Sequence, residues 1–136
     1  GLPGFEASDI ELRRGQKSYT VDTLEQLAKE YPDDGFYLIM GSDMFLTLTG
    51  WREWRRICEL AVICAGARDT ALRGRLADCK RSLEAQGARC ELVELNPLPI
   101  SSTLVRARAR EKKPLGGLVP PEVAAYIDSH GLYQTL

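Results

Sequence analysis

Three short stretches of this sequence combine glycine, hydroxyl and charged residues in patterns that suit phosphate and sugar recognition. Ser101-Ser102-Thr103 stands directly before an apolar pair, with Arg106 one helical turn further on. At a helix start, one hydroxyl can cap the first turn while free backbone N–H groups and the helix dipole favour an anion. Arg106 would then reach the same phosphate with two parallel N–H donors. The plainer alternative is an ordinary serine cap beside a solvated arginine. Gly41-Ser42-Asp43 is the second stretch. Gly41 would let a ligand approach the backbone, and Asp43 could accept hydrogen bonds from ribose hydroxyls, or simply cap a following helix. Gly66-Ala67-Arg68 is the third. Trp51 and Trp54, three apart, suit core packing, yet Trp51 follows Thr49-Gly50 and could offer an open ring face to a flat heterocycle.

These residues need elements to hold them. Phe36–Met40 and Ala61–Ala65 are apolar runs that read as buried strands, the first on both faces, and Cys90–Leu95 reads as a third strand. Between and around them, helices are expected over Val21–Tyr31 (with Thr20 as N-cap), Met44–Leu48, Trp51–Leu60 and Leu72–Gln86. A capped helix starts near Ile100, and a last one at Pro120. Phe5, Ile10 and Leu12 suggest a further strand. Strands alternating with helices argue an α/β fold with a parallel sheet covered by helices on both faces. In such a sheet, ligands collect beyond the carboxyl ends of the strands. All three polar stretches fall there.

Composition narrows the function classes. The chain has 136 residues, 44% of them hydrophobic, which suits a single domain over residues 1–136. A net charge of −1 gives no bulk attraction to nucleic acid or to an anionic membrane. Arg106, Arg108, Arg110, Lys112 and Lys113 spread around a helix rather than forming one stripe. No apolar stretch approaches the roughly 20 residues of a bilayer span. Cys58, Cys64, Cys79 and Cys90 lack metal-ligand spacing, so no metal site is expected in the protein, and buried or half-buried thiols in a reducing, cytoplasmic compartment are. His130, before Gly131, reads as a helix-end residue.

Taken in order, Ser18-Tyr-Thr-Val-Asp-Thr-Leu24, Phe36-Tyr-Leu-Ile-Met-Gly-Ser-Asp43, Trp51-x-x-Trp54-x-x-Ile57, Ala65-Gly-Ala-Arg68, Ile100-Ser-Ser-Thr-Leu-Val-Arg106 and Val119-Pro-Pro-x-Val-x-x-Tyr-Ile127 with Gly131-Leu-Tyr133 resemble the nicotinate-nucleotide adenylyltransferase family. The resemblance covers nearly the whole chain. It implies the Rossmann-like nucleotidyltransferase fold and transfer of AMP from ATP, with Mg²⁺, to nicotinic acid mononucleotide. It implies that Thr20 receives the nicotinate carboxylate and Trp51 stacks on the pyridine. Gly41, Asp43, Arg68, Ser101, Ser102, Thr103 and Arg106 would serve ATP, Arg106 as the catalytic cation. Arg52 and Asp69 depart from the residues usual in the family, an aromatic and a proline. The family's His-x-Gly-His motif and first strands do not occur here. The chain is therefore expected to be the carboxyl-terminal portion of an adenylyltransferase, its amino-terminal strands missing, and inactive by itself. Related activities on nicotinamide mononucleotide or phosphopantetheine, or a non-catalytic nucleotide-binding module, are the competing readings. An oligomer is left open.

Overall fold

Phe36–Gly41 (β1), Ala61–Ala67 (β2) and Cys90–Glu94 (β3) form a parallel three-stranded sheet in the order β1-β2-β3. Parallel neighbours need crossover connections, and helices supply them. Between β1 and β2 run Ser42–Leu46 (α3), a 3₁₀ turn at Leu48–Gly50 and Trp54–Leu60 (α4); between β2 and β3 runs Arg73–Glu84 (α5). Two helices precede the sheet: Ile10–Arg13 (α1) and Thr20–Glu30 (α2). Ser102–Arg110 (α6) and Pro121–Ser129 (α7) follow it. The computed structural model describes residues 2–67, 72–96 and 98–134. The chain divides into two compact units, Gly1–Asn96 and Pro97–Leu136.

In the first unit, Val21, Leu24, Met40, Phe45, Leu48, Ile57, Ile63, Ala65, Leu76 and Leu83 are the main buried residues of one core. Strand alternation decides which sheet residues join it. Phe36, Leu38 and Met40 pack with the core, whereas Tyr37 and Ile39 are 62% and 80% exposed. The expectation that β1 is buried on both faces is therefore corrected: an apolar run shows what a strand can bury, not what covers it. The expected strand through Phe5, Ile10 and Leu12 is also absent. Ile10 lies in α1, its N–H donating to Ser8 Oγ (3.3 Å), and Asp9 pairs with Arg13 at 2.8 Å. Only Ile10 is buried there, since Phe5 and Leu12 are well exposed.

All four cysteines are free thiols, Cys58 and Cys90 buried, Cys64 and Cys79 half-buried. Burial pushes the Cys90 thiol from 9.0 up to about 11, and raises Cys58 as well. The unfolded chain then loses these protons first as pH rises, so the folded state loses stability between about pH 9 and 11 and is unaffected below. The urea midpoint should fall from pH 8 to pH 10.5, and fall less in Cys90→Ala. Equal falls in the two proteins would show that Cys90 does not drive the loss.

In the second unit, Val105, Ala109, Leu115 and Ile127 form a small core with Leu118, Val119, Ala124 and Leu132 around it. Pro121 occupies the first turn of α7, where its missing N–H costs nothing. His130 caps the other end of α7, stacked on Tyr126 with ring centroids 3.8 Å apart. That is the helix-end role expected for it.

Candidate functional site

A cavity of about 350 Å³ in the first unit is lined by Ser18, Tyr19, Thr20, Trp51, Arg52 and Ile57. It joins two segments that sequence order keeps apart. The loop leading to Thr20 is tied down by α1: Ser18 Oγ donates to the Glu11 carbonyl (3.4 Å) and Thr23 Oγ1 to the Glu11 carboxylate (2.7 Å). Arg56 of α4 then clamps α2 through Glu25, with Nε–Oε1 at 2.6 Å. The hydrogen bond from Arg56 holds the Glu25 carboxyl below its ordinary range. The pair is exposed, so its use is chiefly to set the spacing of α2 and α4, two walls of the cavity.

Thr20 is the first residue of α2 rather than its N-cap; Tyr19 holds the cap position in an extended conformation, without a side-chain cap bond. The expected capping role of Thr20 is thereby corrected, and the first-turn N–H groups of α2 are left uncapped by any side chain at that position. Trp51 is likewise not helical. It follows the 3₁₀ turn in extended conformation, and α4 begins only at Trp54. Of the two residues between, Glu53 has φ 50°, a left-handed conformation uncommon outside glycine that turns the chain sharply. That turn separates two tryptophans which helical spacing would place on one face. Trp51 Nε1 donates to Thr47 Oγ1 at 3.4 Å, which ties the edge of its ring. Half-buried Trp51 packs partly against the core and partly lines the cavity. So the junction position anticipated for Trp51 is observed.

Gly41 ends β1 and lies opposite Gly66 of β2. A Cβ at Gly41 would meet no atom within 4 Å, and its φ of −74° is open to any residue. Neither packing nor backbone conformation demands glycine there, and the space before it is open. At Gly66 a Cβ would stand 2.5 Å from the Leu95 side chain, so glycine there serves packing. Asp43 is exposed in the first turn of α3. The expected N-cap alternative for Asp43 is corrected, because Gly41 holds that position. Arg68 lies outside the described residues.

In the second unit, a cavity of about 390 Å³ gathers Ser101, Ser102 and Arg106 with Val119, Val123 and Tyr133. Ser101 is the N-cap of α6, its Oγ accepting from the Leu104 N–H at 3.1 Å. That leaves Ser102 free of capping duty. Arg106 reaches Thr103 Oγ1 at 3.5 Å, the limit of a hydrogen bond, while Arg108 donates to the Pro114 carbonyl at 3.1 Å. Thr103 thus touches Arg106 without lining the cavity. A larger cavity, about 570 Å³, is lined by Lys112, Lys113, Leu115 and Asp128 among others and holds none of the expected site residues. Size therefore does not select the site; chemistry does.

Local sequence gives Tyr19 and Arg52 no role, and the structure places both on the cavity wall. The Arg52 guanidinium sits 4.6 Å over the Tyr19 ring, and Lys17 Nζ 5.2 Å from the same ring. The sequence marks Arg52 only as a departure from the aromatic residue usual in the family just after Trp51. Among the described residues, no three His, Cys, Asp or Glu side chains are gathered to hold a metal, and no helix is long and apolar enough to cross a membrane.

Residues 2–108 match the family model described as cytidylyltransferase-like. The chain is 37% identical to a probable nicotinate-nucleotide adenylyltransferase of Corynebacterium jeikeium, over 96% of this chain and 67% of that one. Relatives described in the same words come from Corynebacterium glutamicum (36% identity, 97% and 59%) and Carboxydothermus hydrogenoformans (38%, 97% and 66%). The chain thus spans about three-fifths to two-thirds of the length of these curated relatives. A solved structure of Plasmodium falciparum nicotinic acid mononucleotide adenylyltransferase complexed with NaAD superposes with a TM-score of 0.63 at 18% identity, covering 86% of this chain and 58% of the other. At that identity the likeness is one of fold, Rossmann-like and parallel.

Proposed function

Because the chain belongs to the cytidylyltransferase-like family, and by its relatives to the nicotinate-nucleotide adenylyltransferases, we propose that the protein carrying it transfers AMP from ATP to nicotinic acid mononucleotide. The products are deamido-NAD and pyrophosphate. One observation carries the reading of substrate: a single cavity holds the uncapped start of α2 at Thr20 and the tethered ring of Trp51. An aromatic surface suits a pyridine ring, and free first-turn N–H groups suit its carboxylate.

In the reaction, a phosphate oxygen of the mononucleotide forms a bond to the α-phosphorus of ATP. The bond from that phosphorus to the oxygen bridging the β-phosphate breaks, and pyrophosphate leaves with the electron pair. The mononucleotide phosphate is already a good nucleophile, so no activating base is required. The chain's task is positioning and neutralisation of growing charge. Ser102 and Arg106 are assigned to the ATP phosphates, Ser101 and Thr103 to holding that helix start and its arginine. Gly41 and Asp43 are assigned to the nucleoside, and Arg68, by resemblance alone, to the same nucleotide. Mg²⁺ is proposed to accompany ATP as part of the substrate. Four free thiols fit a reducing compartment, and the cytosol is the location proposed.

The test is pyrophosphate release by the full-length protein given ATP, Mg²⁺ and nicotinic acid mononucleotide, with controls lacking each. Absence of release under saturating substrates would overturn the reading. Trp51→Ala is expected to weaken mononucleotide binding about two- to tenfold, the worth of a lost aromatic stack, and ATP binding less. Titration calorimetry with each ligand checks this. Equal losses for both would make Trp51 a packing residue only.

A further inference from the structure

We propose that Arg52 sets the preference of this site for a pyridine carboxylate over the corresponding amide. The inference rests on the function proposed above and concerns the same cavity. Arg52 is presented by the turn between the 3₁₀ segment and α4, with the left-handed Glu53 after it and buried Leu48 and Ile57 anchoring each side. Its guanidinium is held over the Tyr19 ring at 4.6 Å, a cation–π distance that restrains a long side chain which would otherwise range through solvent. Lys17 Nζ lies 5.2 Å from the centroid of the same ring.

Nothing on the cavity wall cancels that charge. Neither Arg52 nor Lys17 forms a salt bridge among the described residues, and no carboxylate lines the cavity. Asp22 and Glu53 are the acids nearest in sequence, and neither belongs to the lining. An occupant of this cavity therefore meets the aromatic residues Trp51 and Tyr19 and an arginine without a salt bridge among the described residues. A guanidinium fork matches a carboxylate in two-pronged fashion, while an amide presents one acceptor oxygen and an NH₂ that points donors at donors. The two ligands have nearly the same shape, so shape cannot separate them. Charge can.

The experiment compares kcat/KM for nicotinic acid mononucleotide and nicotinamide mononucleotide in the full-length enzyme and its Arg52→Gln, Arg52→Lys and Arg55→Gln variants. Arg55 is the control, because it donates to Gln86 (3.1 Å) and lies over Trp54, outside the cavity. The acid-to-amide ratio should fall about tenfold in Arg52→Gln, in line with losing a charge-assisted hydrogen bond near solvent, and be partly restored in Arg52→Lys. Arg55→Gln should leave it unchanged. Thermal melting confirms that each variant is folded, and an unfolded Arg52→Gln is replaced by Arg52→Met in the same comparison. A ratio within threefold of wild type in the Arg52 variants, with wild type active on the acid, overturns the role of Arg52 alone. Wild-type protein inactive on both mononucleotides overturns the proposed function and this assignment with it.

Discussion

Arg106→Ala in the full-length enzyme is expected to lower kcat about 10²–10³-fold while changing mononucleotide affinity little. The size follows from what one well-placed donor to developing charge contributes in a preorganised site. Arg106 sits one turn into α6, in the same cavity as Ser101 and Ser102. Ser101 already caps the helix, so the remaining N–H groups, the Ser102 hydroxyl and the guanidinium are left for an anion. As pyrophosphate departs, negative charge grows on its bridging oxygen, and a cation placed there helps the transition state more than the bound substrate. The loss should accordingly appear in kcat and not in the KM for mononucleotide. Arg108→Ala is the comparison. Its guanidinium is committed to the Pro114 carbonyl, and near-wild-type turnover is expected. Steady-state pyrophosphate release decides it. If both variants lose turnover alike, α6 is a generally sensitive helix and the phosphate role of Arg106 is wrong.

The parts of this molecule that were legible beforehand are those written in local sequence. β1 and β2 are legible because each is a short, continuous apolar run, β3 because Cys90, Leu92 and Val93 stand between turn residues, and α5 because Leu76 and Leu83 fall on one helical face and are buried. A hydroxyl cap within Ser101-Ser102-Thr103 is legible because serine before a helix has a strong local preference, and the structure assigns it to Ser101. Trp51 was misplaced on a helix because periodicity cannot register the left-handed Glu53 that splits Trp51 from Trp54. Tyr37 and Ile39 carry strand patterning, but their exposure depends on what lies over the sheet, which no local pattern encodes.

The cavity was legible only in part, for the same reason. Thr20 and Trp51 could each be singled out, one as a helix-start hydroxyl and the other as a junction aromatic. Their meeting is fixed by non-local bonds, Arg56 to Glu25 and Thr23 to Glu11, between residues unremarkable in themselves. Arg52 shows the limit most clearly. The sequence marks it as a departure from the family's usual aromatic, and its place over Tyr19 and on the cavity wall gives that departure a chemistry which Arg55 and Arg56 lack.

Phe45→Ala is expected to cost about 3–5 kcal/mol of stability, the usual range for emptying a fully buried phenylalanine site. Phe45 is wholly buried in α3, a helix that packs against β1, β2 and α5. A five-residue helix has too few internal hydrogen bonds to stand by itself, so this side chain is what seats it. Domains of this size have about 5–15 kcal/mol in all, so the variant should be marginal. The loss should also reach the site, because α3 carries Asp43 just beyond Gly41 and is followed by Thr47, which tethers the Trp51 ring. Phe45→Leu, which keeps much of the buried volume, should lose markedly less. Asp43→Asn, exposed on the same helix, should leave stability within about 0.5 kcal/mol. Urea unfolding of the three variants at pH 7.5, extrapolated to water, makes the comparison. A loss below about 1 kcal/mol in Phe45→Ala would mean that α3 is seated by something other than Phe45, and that the placement of Asp43 and Trp51 needs another cause.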